Sequence, residues 1–176
     1  MRVGTIELIP VEGLPEVTRA ADLAAMVCEA VELRERDVVV VTQKVVSKAE
    51  GAMERVDPSD PLSHKPLVER ESRRILRRRG DLVISETRHG FVCANAGIDL
   101  SNVEEGWAAL LPEDPDRSAR RIRDGILGRT GLRVGVIVSD TFGRPWRRGV
   151  TDVAVGSAGL RPVVDLRGTQ DAYGRE

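Results

Sequence analysis

Aromatic residues are scarce in this 176-residue chain: two Trp, two Phe and one Tyr, 3% of the total. Single-stranded nucleic-acid sites stack bases on aromatics set among basic groups, so the arginine-dense RRILRRR stretch (73–79) reads as a solvated helix face. Cysteine is scarce too. Cys28 and Cys93 stand far apart, in no metal-ligand spacing. They read as buried free thiols, with no disulfide framework and a reducing cytoplasm as the default compartment. No apolar run approaches ~20 residues, so nothing is expected to span a membrane, and the first residues lack the apolar stretch of a signal peptide. Neither sign of charge dominates: the formal net charge is −1, which gives no global field to recruit nucleic acid or anionic membrane. There is no repeat and no low-complexity segment. Neither GxxxxGK(S/T) nor GxGxxG occurs, so any nucleotide site must be of another design.

Lysine is the remaining scarcity. Of 27 basic residues 24 are arginine, and only Lys44, Lys48 and Lys65 are lysine. The skew is compositional, but it makes each retained lysine more conspicuous.

Hydrophobic residues make up 41% and charged residues 31%, as in ordinary globular proteins, and the length suits one domain with a real core. VGTIELIPV (3–11) alternates like a strand. DLAAMVCEAVELR follows as a helix capped by Asp22, with apolar residues at helical spacing. DVVVVT (37–42) is a β-branched run, as expected of a strand buried on both faces. Strand, helix and strand in succession indicate an α/β fold, with mixed sheets and flanking helices. Residues 66–79 predict a helix with Pro66 in its first turn and Gly80 past its end. DLVIS and FVCAN flank ETRHG as a hairpin, with His89 in the turn. A long polar segment (96–116) separates them from a helix that starts near Asp116 and closes at Gly131. RVGVIVSD, VTDVAVGSAG and RPVVDLRG read as further strands.

Three polar clusters each follow a predicted strand: Gln43 to Lys48, Asn95 to Asn102, and Asp140 to Arg148. In α/β sheets ligands bind beyond the carboxyl ends of strands. Asp99 and Asp140, with the Thr141 hydroxyl, offer hard oxygen donors for Mg²⁺ or Mn²⁺. The same aspartates equally suit the capping of turns. Lys48 suits a polyphosphate or open solvent, and Asn102 suits hydrogen bonds to a nucleotide. Arg144, Arg147 and Arg148 suit substrate anions or a solvated loop. Trp146 suits a flat ring or the sealing of its loop.

Six stretches together carry a resemblance: VEGLPEV, VVVVTQKVVSKAEG, RHGFVCANAGIDLSNVEEG, LPEDPDRSARRIRDGI, VGVIVSDTFGRPWRRGVTDVAVGSAG and DLRGTQDAYGRE. In this order and spacing the chain resembles the coenzyme F420-0:L-glutamate ligase family, from about residue 5 onward. The resemblance implies a CofE-like ligase fold of the α/β class, in which residues 1–176 form a ligase domain lacking the family's C-terminal portion. It implies GTP-dependent addition of L-glutamate to the deazaflavin coenzyme F420 precursor through an acyl phosphate. The matching positions are Asp99, Asp140 and Thr141 for one or two Mg²⁺ or Mn²⁺ ions. For GTP they are Leu14, Pro15, Glu16, Val17, Gln43, Lys48 and Asn102. K⁺ and an intertwined homodimer belong to the same expectation. So does an alternative, a non-catalytic fragment that keeps the fold and part of the nucleotide and metal binding.

Overall fold

The structure, a computed structural model, describes residues 5–176. In chain order its elements begin with α1 (Leu23–Ala30), β1 (Val38–Thr42), α2 (Gln43–Glu50) and β2 (Met53–Arg55). Then come α3 (Lys65–Glu71), β3 (Ser72–Arg79), β4 (Leu82–Thr87) and β5 (Val92–Ala94). A short 3₁₀ turn (Asn95–Gly97) leads to β6 (Trp107–Ala109), α4 (Pro115–Thr130), β7 (Gly135–Gly143) and β8 (Val150–Ala158). The fold is mixed α/β.

The main sheet has the order β1-β7-β8, with β1 parallel and β8 antiparallel to β7. Its valines Val39, Val41, Val136 and Val138 share one core with Ile122 and Ile126 of α4 and with Leu23 and Val27 of α1. The helices begin where side chains satisfy free backbone donors. Asp22 accepts from the Ala25 amide and Asp114 from the Arg117 amide, each at 2.9 Å. Gly131 ends α4 at φ 74°, a conformation that costs glycine nothing. At Gly156 of β8 a side chain has no room: a Cβ there would lie 2.3 Å from the Pro115 carbonyl group. Glycine thus sets how closely α4 begins over the sheet.

Several expectations change. Residues 5–11 form no strand; Ile6 and Leu8 are about nine-tenths exposed and no neighbouring strand offers a ladder. Residues 3 and 4 of that expectation lie outside the described residues. β1 is buried on one face only: Val39 and Val41 enter the core shared with α1 and α4, whereas Val38 at 53% and Val40 at 61% exposure point to the other face, which that core does not cover. The helix expected over 66–79 stops at Glu71. Residues 72–79 instead pair with β4, where Arg73 and Arg74 reach Glu86 across the strands at 3.3 and 3.1 Å. Cross-strand pairing overrides a local pattern that charge had made ambiguous. RPVVDLRG forms no strand and is exposed. Cys93 is buried as expected, whereas Cys28 is only partly so. The β4–β5 hairpin is present, with Gly90 at φ 89° in its turn.

Among the described residues no helix is long and apolar enough to cross a membrane.

Candidate functional site

The site forms where β1 runs directly into α2. One stripe of α2 faces inward: Gln43, 1% exposed, and Ser47 one turn later. The Gln43 amide donates to Ser47 Oγ and to the Leu110 carbonyl, both at 2.6 Å. Ser47 Oγ donates to the same carbonyl at 2.5 Å. Gln43 therefore spends its amide protons anchoring α2 to the segment that follows β6. With α2 pinned on that side, Lys44 and Lys48 share a neighbouring stripe at i, i+4 spacing. The Lys48 ammonium pairs with the Glu16 carboxylate, which brings the Leu14-to-Val17 segment to this helix. Leu14 and Val17 border a cleft of about 680 Å³ together with α1 and β1.

The second wall comes from the turn after β5. Asn95 and Ala96 adopt φ of 48° and 55°, and the Asn95 side chain accepts from Lys65 Nζ at 3.2 Å and from the Val83 amide at 3.3 Å. Asp99 then exchanges both backbone hydrogen bonds with Ala109, at 3.0 and 2.8 Å. Its carboxylate is fully engaged. Oδ1 accepts from the Ser101 amide and hydroxyl, both at 2.7 Å, and Oδ2 meets Lys44 Nζ at 2.8 Å. These partners outweigh partial burial and hold the Asp99 carboxyl below the usual carboxylate range. Asn102 lies in the next turn at φ 50°, exposed.

The third wall is the carboxyl end of β7. Asp140 is half-buried and accepts from the Thr141 amide at 2.9 Å. Burial pushes its carboxyl up, the Thr141 amide opposes that, and the Asp99 carboxylate raises it further. Lys44 lowers it and Asp152 raises it by smaller amounts. Asp99, Asp152 and Lys44 therefore each lie within electrostatic reach of Asp140. Thr141 Oγ1 donates to Asp152 Oδ1 at 2.6 Å.

The structure thus gathers Asp99 and Asp140, with Thr141 beside them, and places Glu16 with Lys48 along the same helix. The two carboxylates offer hard oxygens suited to a divalent cation, with the Thr141 hydroxyl next along β7; the Asp140 carboxyl is raised first by burial and then by the Asp99 carboxylate, and a cation would relieve both. Among the described residues no three His, Cys, Asp or Glu side chains gather at metal-ligand spacing. The remaining oxygens would come from water and phosphate, the usual arrangement for Mg²⁺.

Sequence reasoning did not single out Lys44, Ser101 or Asp152. The rarity of lysine pointed toward Lys44; nothing in the sequence marked Asp152, which reaches Thr141 only through strand pairing. Trp146 does not seal its loop, being 94% exposed at the tip joining β7 to β8. His89 is a turn residue, as expected, with Nε2 2.9 Å from the Pro112 carbonyl.

Comparison with known proteins converges on one family. A family model described as F420-0:gamma-glutamyl ligase matches residues 13–176. A coenzyme F420:L-glutamate ligase of Methanothermobacter thermautotrophicus is 45% identical over 190 residues, covering 97% of this chain and 75% of the relative. Relatives of the same name from Methanopyrus kandleri and Archaeoglobus fulgidus are 44% and 43% identical over 185 residues each. Both alignments cover 97% of this chain, with 73% and 74% of the respective relatives.

Proposed function

The chain belongs to the F420-0:gamma-glutamyl ligase family, and on that premise we propose that it is a GTP-dependent ligase joining L-glutamate to the coenzyme F420 precursor. The observation that carries this reading is the convergence of Asp99 and Asp140 on Lys44, with Lys48 one turn further along α2. Carboxylates able to hold a hard cation beside ammonium groups able to meet phosphate are what phosphoryl transfer between anions requires.

In this reading the terminal carboxylate of the precursor attacks the γ-phosphorus of GTP. The bond from that phosphorus to the β,γ-bridging oxygen breaks, and GDP leaves. The amine of L-glutamate then attacks the acyl carbon. The C–O bond to phosphate breaks, and inorganic phosphate and one proton leave as the amide forms. Asp99, Asp140 and Thr141 would hold one or two Mg²⁺ or Mn²⁺ ions, which would neutralise charge on the transferring phosphoryl group. Lys48 offers a compact point charge to phosphate, exchanging Glu16 for it, while Leu14, Pro15, Val17 and Asn102 border the nucleotide. Gln43 serves the nucleotide indirectly, by fixing α2.

A homodimer is part of the proposal. The exposed valines of β1 and the exposed Ile6 and Leu8 give the chain apolar surface that a second copy would cover.

The test is glutamate addition to the precursor by purified protein with GTP and Mn²⁺ or Mg²⁺, read by mass. Amide product that requires all four components is expected. Absence of GTP binding in the presence of either metal would overturn the proposal, and phosphate release without glutamate would indicate a phosphohydrolase instead.

A further inference from the structure

Lys44 sits in a cradle of oxygens. Its ammonium has three protons, and three oxygens surround it: Asp99 Oδ2 at 2.8 Å, the Ser101 carbonyl at 2.5 Å and Ser101 Oγ at 3.0 Å. The Lys44 side chain is 17% exposed and that of Asp99 34%, so the pair is partly sheltered from the screening that weakens surface ion pairs. The other Asp99 oxygen is taken by the amide and hydroxyl of Ser101. A carboxylate, a carbonyl and a hydroxyl oxygen are also the donor types that a hard divalent cation selects. A cation approaching Asp99 therefore meets an oxygen already occupied by another cation.

Resting on the reading above, in which Asp99 and Asp140 hold a divalent ion, we propose that Lys44 is a built-in counter-cation: its ammonium holds Asp99 in the metal-free protein and is displaced from that carboxylate when the metal arrives. Two cations sharing one carboxylate oxygen repel strongly in a partly buried site. The displaced ammonium stays tethered to α2, one turn from Lys48 and beside the carboxylates. There it is placed to meet the anion that accompanies the metal. Lys44 is thus a positioning residue that ties metal loading to the arrival of phosphate, and it keeps Asp99 in place until then.

Three lysines make the test direct, because ¹⁵N-lysine labelling gives three ammonium signals and Lys44→Arg assigns one of them. In the wild-type protein, titration with Mg²⁺ is expected to move the Lys44 signal toward that of a free ammonium. A Lys44 signal that stays in place while Mg²⁺ binds would overturn the proposal. In parallel, Mn²⁺ affinity is read by electron paramagnetic resonance of the free ion. Lys44→Met is expected to bind Mn²⁺ at least tenfold more tightly than wild type without nucleotide; equal or weaker binding would overturn the proposal. If Lys44→Met does not fold, the wild-type ammonium titration decides alone. Wild-type protein that binds neither Mn²⁺ nor Mg²⁺ would overturn the metal reading itself, and this inference with it. Metal binding without the Lys44 response would overturn this inference only.

Discussion

Thr141 gives its hydroxyl proton to Asp152 across a directly opposed pair of β7 and β8, at 2.6 Å. That bond fixes which way the hydroxyl points. With its proton committed to Asp152, the Thr141 oxygen turns its lone pairs elsewhere, the orientation a neutral hydroxyl needs to ligate a cation. Partners that orient ligands in this way commonly contribute 10–100-fold to metal affinity.

Asp152→Ala is therefore expected to weaken Mn²⁺ binding by roughly 10–100-fold. Asp152→Asn keeps an acceptor oxygen while removing the charge, and should fall between the variant and wild type. Titration of free Mn²⁺ by electron paramagnetic resonance checks both. Unchanged affinity in Asp152→Ala would show that Thr141 needs no such orientation, or is no ligand.

Asp140→Asn is expected to lower metal-dependent glutamate addition by at least about a hundredfold, because a ligand charge is lost from the site. The fold should not suffer. Burial and the neighbouring Asp99 and Asp152 carboxylates all push the Asp140 carboxyl up, so its charge opposes folding in the metal-free protein. A metal-free melting temperature equal to or above that of wild type is the expected result. Retained turnover at unchanged metal affinity would remove Asp140 from the metal site.

Local signals in the sequence identified much of this fold. Asp22 as a cap, Gly131 as a stop and the valine runs of β1 and β7 act within a few residues of themselves, and each marks its element, although α1 stops at Ala30 short of the expected Arg34 and α4 is capped by Asp114, two residues before the expected Asp116. β3 was not legible, since its strand conformation depends on partners on β4 rather than on its own arginine-rich pattern. The one-sided burial of β1 follows from α1 and α4 packing on its Val39/Val41 face, which no run of valines reveals. The same division holds at the site. Asp99 and Asp140 stand out as carboxylates after strands, but Asp152 matters only through the β7–β8 register and Ser101 only through the turn after Asp99. Gln43 looks like a ligand contact from its place after β1. In the fold its amide nitrogen also anchors α2 through the distant Leu110 carbonyl, a contact that no local pattern marks.

Gly156 is expected to tolerate no side chain. A Cβ there would meet Pro115 backbone atoms at 2.3 Å, and neither the start of α4 nor β8 can shift without disturbing the main core. Gly156→Ala should cost on the order of 1–3 kcal/mol, as overpacked sites do. Gly128, on α4 with nothing within 4 Å of its Cβ position, is the control. Gly128→Ala should stabilise by up to about 1 kcal/mol through helix propensity. Urea midpoints of the two variants should move in opposite directions; a Gly156→Ala midpoint at or above wild type would contradict the packing.

Cys93 links burial to behaviour at high pH. Burial, with a smaller push from the Asp140 carboxylate, raises its thiol from the ordinary 9.0 to about 11. Below pH 9 both folded and unfolded chains keep the proton, and this group leaves stability unchanged. Between pH 9 and about 11 the unfolded thiol ionises while the folded one does not, so the unfolded chain binds fewer protons and stability falls. Urea midpoints of the wild type should therefore drop across that interval, and Cys93→Ala should flatten the drop relative to its own value at pH 8. The same shift reduces the thiolate available at pH 8 to about a hundredth of that of an ordinary cysteine. Iodoacetamide at pH 8 is accordingly expected to label the partly exposed Cys28 well before Cys93 in the native protein, and both together once the chain is unfolded. Labelling of native Cys93 as fast as Cys28, read by peptide mass, would contradict its burial.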